Sequence, residues 1–238
     1  MFLKKSEQPR FGVVIVAGGS SSRMKGVDKQ TVLLGDMPVP IHSVLPFSRM
    51  KEVTEIVIVC REDLIPMMMD WVRDFGVQKV SAIVRGGSSR QQSVLRGIDA
   101  LSENVDYFAI HDGARPFADE ELIRRCMQDA MEHGAATAAV PCKDTIKVSD
   151  SEGFICDTPD RSTLHQTQTP QMFRRDWYLQ AAEQAKAEGV DVTDDCQLLE
   201  RAGRKVHLSM GSYFNIKITT QEDLPIAFAI AQAIGENC

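Results

Sequence analysis

The run Phe11-Gly12-Val13-Val14-Ile15-Val16 is apolar at odd and even positions alike, and it leads into Ala17-Gly18-Gly19-Ser20-Ser21-Ser22-Arg23-Met24, with Lys29 just beyond. A strand with one wet face alternates polar and apolar side chains. This one does not alternate and is rich in β-branched residues, so it needs cover on both faces, as in a parallel sheet. Such a strand obliges the chain to return over the sheet through crossover helices, which restricts it to α/β architectures. The turn that follows is small, then basic. Glycine and serine leave room for backbone N–H groups to converge on phosphate oxygens, while Arg23 and Lys29 supply the charge that a triphosphate requires. The spacing matches neither Gly-x-x-x-x-Gly-Lys-Ser/Thr nor Gly-x-Gly-x-x-Gly. An ordinary glycine-rich turn with solvated cations is the competing reading.

The alternation then repeats. Pro40 opens a helix, interrupted by Pro46, that ends near Met50; residues 55–60 are a second buried strand; 64–75 carry an apolar helical face stopped by Gly76. A third strand, 80–84, ends in another small-residue turn, Arg85-Gly86-Gly87-Ser88-Ser89-Arg90, and a helix follows through Val94, Leu95 and Ile98. The fourth strand, 107–110, ends at His111-Asp112-Gly113-Ala114-Arg115-Pro116. Polar residues at the carboxyl end of a strand mark the ligand crevice of open α/β sheets, and an acid and a base three apart, framed by glycine and proline, favour a site.

Residues 120–133 read as amphipathic helix ended by Gly134, and 135–140 as another buried strand. From Pro141 the pattern changes to a hairpin (144–148 and 154–157) and a polar β-rich run, 164–171. Residues 141–170 therefore read as an excursion from the sheet that touches a ligand or another subunit. Helices over 174–188 and 194–202 follow, the second with Thr193 as N-cap and Asp194 and Asp195 at its positive end. Strands at 205–210 and 213–218 come next. Thr219 or Thr220 then caps the last helix, with Glu222 or Asp223 completing a capping box. Lys217, between Ile216 and Ile218, either guards an edge or points into a pocket. The expected fold is α/β: a Rossmann-like, mostly parallel twisted sheet flanked by helices, one domain over 1–238 with 141–170 as a protruding β-arm.

Composition narrows the function classes. A net charge of −6 argues against a nucleic-acid surface, which needs clustered Lys and Arg. Six scattered cysteines, none at Cys-x-x-Cys spacing, read as reduced thiols rather than a disulfide frame or a zinc site. Lys4, Lys5 and Arg10 before the first apolar run faintly resemble a secretory leader, but the run is at the short limit and leads straight into Arg23 and Lys25. No stretch approaches transmembrane length. The expectation is a cytoplasmic protein with neither nucleic-acid nor membrane partners.

Taken together, these stretches resemble the cytidylyltransferase family of the non-mevalonate isoprenoid pathway, itself related to the nucleotide-sugar pyrophosphorylase-like transferases. The resemblance covers nearly the whole chain. It is carried by Val16-Ala17-Gly18-Gly19 with Ser22-Arg23-Met24 and Lys29-Gln30, by Gly86-Gly87 with Arg90 and Ser93-Val94, and by His111 through Pro116. Lys143-Asp144-Thr145, Asp160-Arg161, Gln168-Thr169-Pro170-Gln171, Thr193-Asp194 and Asn215-Ile216-Lys217 continue it in the family's order.

The resemblance implies a CTP site of Ala17, Gly18, Gly19, Arg23, Lys29, Gly86, Arg90, Ser93, Asp112 and Gly113, with backbone groups of Ala17 and Gly86 and the Ser93 side chain reading cytosine. It implies that Asp112, Arg115, Thr145, Arg161, Thr169, Thr193 and Lys217 hold a sugar-alcohol phosphate, and that Arg23, Lys29, Arg161 and Lys217 are catalytic. In the family the arm bearing Thr145 and Arg161 reaches into the neighbouring subunit's site, so a homodimer is implied. Magnesium is the implied cofactor, held mainly by the CTP phosphates, with Asp112 a candidate protein ligand. Departures from the family's pattern are Ser20-Ser21-Ser22 where glycine is frequent, Gly113 where alanine is usual, and His165-Gln166 in the arm.

The implied reaction transfers CMP from CTP to 2-C-methyl-D-erythritol 4-phosphate, giving 4-diphosphocytidyl-2-C-methyl-D-erythritol and pyrophosphate. The attacking phosphate oxygen is ionised at neutral pH and needs no general base. The protein must position two polyanions and offset their repulsion. Two readings compete. Ribitol 5-phosphate cytidylyltransferase would share the CTP site and differ in the acceptor pocket, whereas a catalytically silent nucleotide-binding scaffold would have no use for four convergent cations. Lys29→Ala and Arg23→Ala are each expected to lower kcat by the equivalent of about 2.7–4 kcal/mol of barrier, as for loss of an oxyanion donor. Steady-state kinetics on purified variants checks this, and near-native turnover of Lys29→Ala would contradict its role.

Overall fold

The computed structural model describes residues 9–18, 30–192 and 194–235, and within them strands and helices alternate as the apolar pattern requires. In chain order they are β1 (Phe11–Ala17), the short pair β2 (Leu33–Leu34) and β3 (Met37–Pro38), α1 (Val39–Arg49), β4 (Val53–Cys60), α2 (Ile65–Asp74), β5 (Val80–Arg85) and α3 (Arg90–Asp99). Next come β6 (Tyr107–Asp112), α4 (Glu120–His133), β7 (Ala135–Pro141), β8 (Val148–Ser149), β9 (Ile155–Asp157) and β10 (His165–Arg174). The chain continues through α5 (Arg175–Ala187), α6 (Asp195–Arg201), β11 (His207–Met210) and α7 (Asp223–Ala233).

Seven strands form one sheet in the order β11-β7-β10-β6-β1-β4-β5. Every pairing is parallel except those of β10, which runs against both β6 and β7. β1 lies between β4 and β6, and six of its seven residues are buried, which is why its sequence does not alternate. α1, α2 and α4 cover one face through Ile41, Phe47, Met68, Leu122 and Ile123. α3, α5 and α6 cover the other through Val94, Ile98, Tyr178, Ala181 and Leu199. Phe11, Phe47, Phe108, Phe173 and Tyr178 are among the largest side chains shut off from solvent; each contributes about 1.5–3 kcal/mol by burial. Among the described residues no helix is long and apolar enough to cross a membrane.

Two stretches depart from the sequence reading. Residues 165–170 do not leave the sheet. They are the first half of β10, a central strand in which Gln168, Thr169 and Gln171 are buried. Partners from distant segments make that burial tolerable: Gln168 Nε2 donates to the Ser212 carbonyl, while Thr169 Oγ1 and Gln171 Oε1 accept from the backbone N–H groups of Asp112 and Asp195. The protruding arm is thus shorter, 142–164, and carries the β8–β9 hairpin. Residues 213–218 form no strand; a turn closed by Asn215 N–H on the Ser212 carbonyl leads into irregular backbone that joins Ala114 through Ile218 N–H.

Helix ends follow local chemistry. Asp119 caps α4 by accepting from Leu122 N–H, and Gly134 at φ 86° stops it. Asp194 caps α6 by accepting from Gln197 N–H; Thr193, expected in that role, lies outside the described residues. At α7 only the acid half of the expected box exists. Asp223 Oδ2 accepts from Thr219 N–H and Thr220 N–H, while the Thr219 hydroxyl bonds the Lys217 carbonyl.

α3 sits unusually close to the sheet because Gly97 carries no side chain. A Cβ there would stand 2.8 Å from Val59 Cγ2 and closer still to Val14 Cγ1. That contact sets how closely the last turns of α3 pack on β1 and β4. Gly97→Ala should therefore push the helix off β1 and β4 and lower the unfolding free energy by about 1–3 kcal/mol. Urea denaturation measures this, and an unchanged midpoint would show that the contact is not limiting.

Candidate active site

β1 leads on to β4 on one side while β6 lies on its other side, so a crevice opens at their carboxyl ends where the order reverses. A cavity of about 390 Å³ occupies it, lined by Ala17 and Gly18 at the end of β1, Gly87 to Arg90 and Ser93 at the start of α3, Asp112 to Ala114 at the end of β6, and Lys217. The loop before α3 is held in place by its own serines. Ser89 accepts from Gln92 N–H as N-cap, and Ser93 Oγ accepts from Gly87 N–H and donates to the Ser89 carbonyl. A Cβ at Gly87 would collide with the Gln92 side chain, so only glycine fits there. The result is a small-residue rim beside a helix N-terminus, an arrangement that receives anions.

Charge in the cavity is arranged around Asp112. Its side chain is 8% exposed, with Lys217 Nζ 2.9 Å and Arg115 Nε 3.4 Å from Oδ2, and Arg90 Nε 3.7 Å from Oδ1. Burial works to raise the Asp112 pKa, but Lys217, Arg90 and Arg115 outweigh it and hold the carboxyl well below the usual range. Arg90 is anchored from behind: its Nη1 reaches Asp195 Oδ2 at 2.5 Å, and Asp195 Oδ1 accepts from Tyr178 Oη at 2.7 Å. Burial alone would favour loss of the Arg90 proton, yet Asp195 and Asp112 keep it charged. Arg115 Nη1 donates to the Asn215 carbonyl at 2.7 Å. Three cations against two carboxylates leave one positive charge in excess, ready for an anion.

Beneath this layer lies His111, fully buried. Asp112 N–H donates to Thr169 Oγ1, which leaves the hydroxyl proton for His111 Nδ1, 3.0 Å away. Nδ1 is then an acceptor, so Nε2 carries the ring proton and donates to the Arg115 carbonyl at 3.1 Å. Burial, only partly opposed by Asp112, pushes the His111 pKa down to about 4. The ring is a neutral strut between β6, β10 and the Arg115 turn.

The expected site residues are distributed as follows. Ala17, Gly18, Arg90, Ser93, Asp112, Gly113 and Lys217 meet in one cavity, and Gly86 lines the adjoining depression beside Gly87 and Ser88. Arg115 and Thr169 stand behind Asp112 rather than on the cavity wall. Thr145 and Arg161 are exposed on the arm, the Arg161 guanidinium bonding only the Lys143 carbonyl among the described residues. Gly19, Arg23, Lys29 and Thr193 lie outside the described residues. Sequence reasoning missed Tyr178, and it placed His111, Gln171 and Asp195 in motifs or at a helix start without giving them the supporting roles they have here. Asp195 was legible only as an acid at a helix start, and nothing local linked Tyr178 to it.

The family model for 2-C-methyl-D-erythritol 4-phosphate cytidylyltransferase (IspD) matches residues 11–233. A protein of that name from Clostridium botulinum (strain 657 / Type Ba4) is 40% identical over 223 residues, 93% of this chain and 97% of the relative. Another, from Clostridium acetobutylicum, is 42% identical over 213 residues, covering 89% and 93%. The crystal structure of 4-diphosphocytidyl-2C-methyl-D-erythritol synthase from Anaerococcus prevotii superposes with a TM-score of 0.85 at 32% identity, covering 94% of this chain and 97% of that one.

His111 should be neutral and protonated on Nε2 at pH 6, taking up its second proton only near pH 4, whereas an unperturbed histidine titrates at about 6.5. Nitrogen-detected NMR of the imidazole reads tautomer and charge directly. A charged ring at pH 6 would contradict the network.

Proposed function

Since the chain belongs to the 2-C-methyl-D-erythritol 4-phosphate cytidylyltransferase family, we propose the following division of labour among the residues of its site. The enzyme transfers CMP from CTP to 2-C-methyl-D-erythritol 4-phosphate in isoprenoid synthesis, and it is a nucleotide-binding enzyme that needs a divalent cation. The reading of the site rests on one observation above all: a net-positive cavity at the β1 and β6 ends, built around a carboxylate that three cations surround.

CTP lies along Ala17, Gly18, the 86–90 loop, Ser93, Asp112 and Gly113; the triphosphate contacts assigned by family resemblance to Gly19, Arg23 and Lys29 fall outside the described residues. Ser93 Oγ already donates once and accepts once, so one lone pair remains. It can accept a hydrogen bond from the exocyclic amine of cytosine and has no free O–H to donate to a carbonyl in that place. The acceptor phosphate draws Lys217 away from Asp112, with Arg115 and Thr169 holding the turn and strand behind it. Because the attacking oxygen is ionised, these residues contribute orientation and charge rather than proton transfer.

Magnesium is the divalent cation. Asp112 is the one carboxylate on the cavity wall among the described residues, which suits an ion held chiefly by substrate phosphates with a single protein oxygen. When bound, it neutralises the triphosphate and the departing pyrophosphate.

The protein works as a cytoplasmic homodimer of single nucleotidyltransferase domains. Every described residue from 143 to 158 is exposed, including Phe154 at 67% and Ile155 at 64%. Apolar side chains on a projecting hairpin fit burial against a second copy, which would bring Thr145 and Arg161 to that copy's acceptor.

Pyrophosphate release with CTP and magnesium, measured across an acceptor panel, tests this assignment. Methylerythritol phosphate should be used and ribitol 5-phosphate should not. Lys217→Ala and Arg161→Ala should each lower kcat/KM for the acceptor by the equivalent of about 1.5–3 kcal/mol while CTP binding is retained. Phe154→Asp should yield a monomer by sedimentation with the same acceptor defect; a fully active monomer would overturn the shared site.

A further inference from the structure

The reaction leaves unused a cluster at the amino end of the sheet's edge, across the molecule from the crevice. We propose that Asp129, His133 and His207 form a site for a late first-row divalent ion such as Zn2+, which ties the last turns of α4 to the edge strand β11. Asp129 and His133 are four residues apart on α4 and so share a face. His207 opens β11, which among the described residues pairs with β7 alone, and has Ala136 as its register partner. Their ligand atoms lie within 4.8 Å of one another. His207 Nδ1 is 3.5 Å from Asp129 Oδ2, and the two imidazoles stack with centroids 4.3 Å apart at 23°.

Three further features favour a cation. Ser209 Oγ donates to Asp129 Oδ2 at 2.5 Å, which aims the carboxylate as outer partners aim the ligands of metal sites. His133 is the last residue of α4, where helix carbonyls carry partial negative charge. Glu132 Oε1, 3.9 Å from His133 Nε2, offers another oxygen. The neighbouring Arg125 is already compensated, by Glu121 and by the Met210 carbonyl.

Two imidazoles and a carboxylate suit Zn2+, Co2+, Ni2+ or Cu2+ rather than Mg2+ or Ca2+, which prefer all-oxygen ligands. The side chains of His133 and His207 are 39% and 44% exposed. They can rotate to bring donors from 4.8 Å to the roughly 3.3 Å separation expected around a tetrahedral ion.

The test uses the tag-free, chelator-treated full chain without nucleotide. Co2+ titration should give one equivalent with the visible absorption of a low-coordinate site, displaced by Zn2+ and unaffected by Mg2+, and Zn2+ should raise Tm. His207→Ala, His133→Ala and Asp129→Asn, with folding checked by circular dichroism, should each weaken binding at least ~tenfold, and Ser209→Ala by ~10–100-fold. Turnover with CTP and magnesium should be unchanged in the folded variants. A stacked pair that takes up no stoichiometric Co2+, or an absorption band that survives His207→Ala, would overturn the proposal.

Discussion

A carboxylate shut away from water is tolerable only when cations and donors replace the lost solvent. Asp112 is that carboxylate here, and much of the molecule's upper surface is arranged to satisfy it. Arg90 comes from the start of α3, Arg115 from the turn after β6, and Lys217 from the segment before α7. Three parts of the chain that share no local structure are pinned to one side chain. The same arrangement holds the cations poised: each is oriented by Asp112, and together with Asp195 the group remains net positive. Charges held in this way before any ligand arrives leave little reorganisation for the moment of reaction, Lys217 having only to exchange Asp112 for an incoming anion under the proposed function.

The layer beneath explains why those charges stay put. Asp195 and Tyr178 fix Arg90 from the buried side. Thr169 and a neutral His111 join β6, β10 and the Arg115 turn by hydrogen bonds that carry no net charge. Neutrality matters here, since a charged ring would add repulsion next to Arg115 and Lys217. Asn215 completes the layer by donating to the Thr169 carbonyl and to Gln168 while its own carbonyl receives Arg115. β10 makes this possible. A central antiparallel strand rich in Gln and Thr lays a row of polar partners under the active edge of an otherwise apolar sheet.

Much of this was legible before any coordinates. The unbroken apolar run at 11–16, the small-residue turns at 86–89 and 113, and the Asp112–Arg115 pair each report a local physical requirement: burial on both faces, close approach, a polar strand end. The parallel core and the position of the crevice follow from these, and the strands β1, β4, β5, β6 and β7 lie where their runs indicate. The polar residues 165–170 read as an excursion because they carry too few apolar side chains for a core strand, and the groups that satisfy them lie far away in sequence. Residues 213–218 carry strand-like side chains, but the hydrogen bonds of Asn215 and Ile218 bend them into a turn and a tether.

What the amino-acid order determined by itself was therefore periodicity and punctuation: which faces need cover, where the backbone must come close, where helices start and stop. Tertiary structure alone decided which polar groups meet, because partnership across the sheet depends on strand order and direction, and a period of two or 3.6 contains neither. Arg90 and Asp195 are 105 residues apart. Their pairing exists only once α3 and α6 pack on the same face.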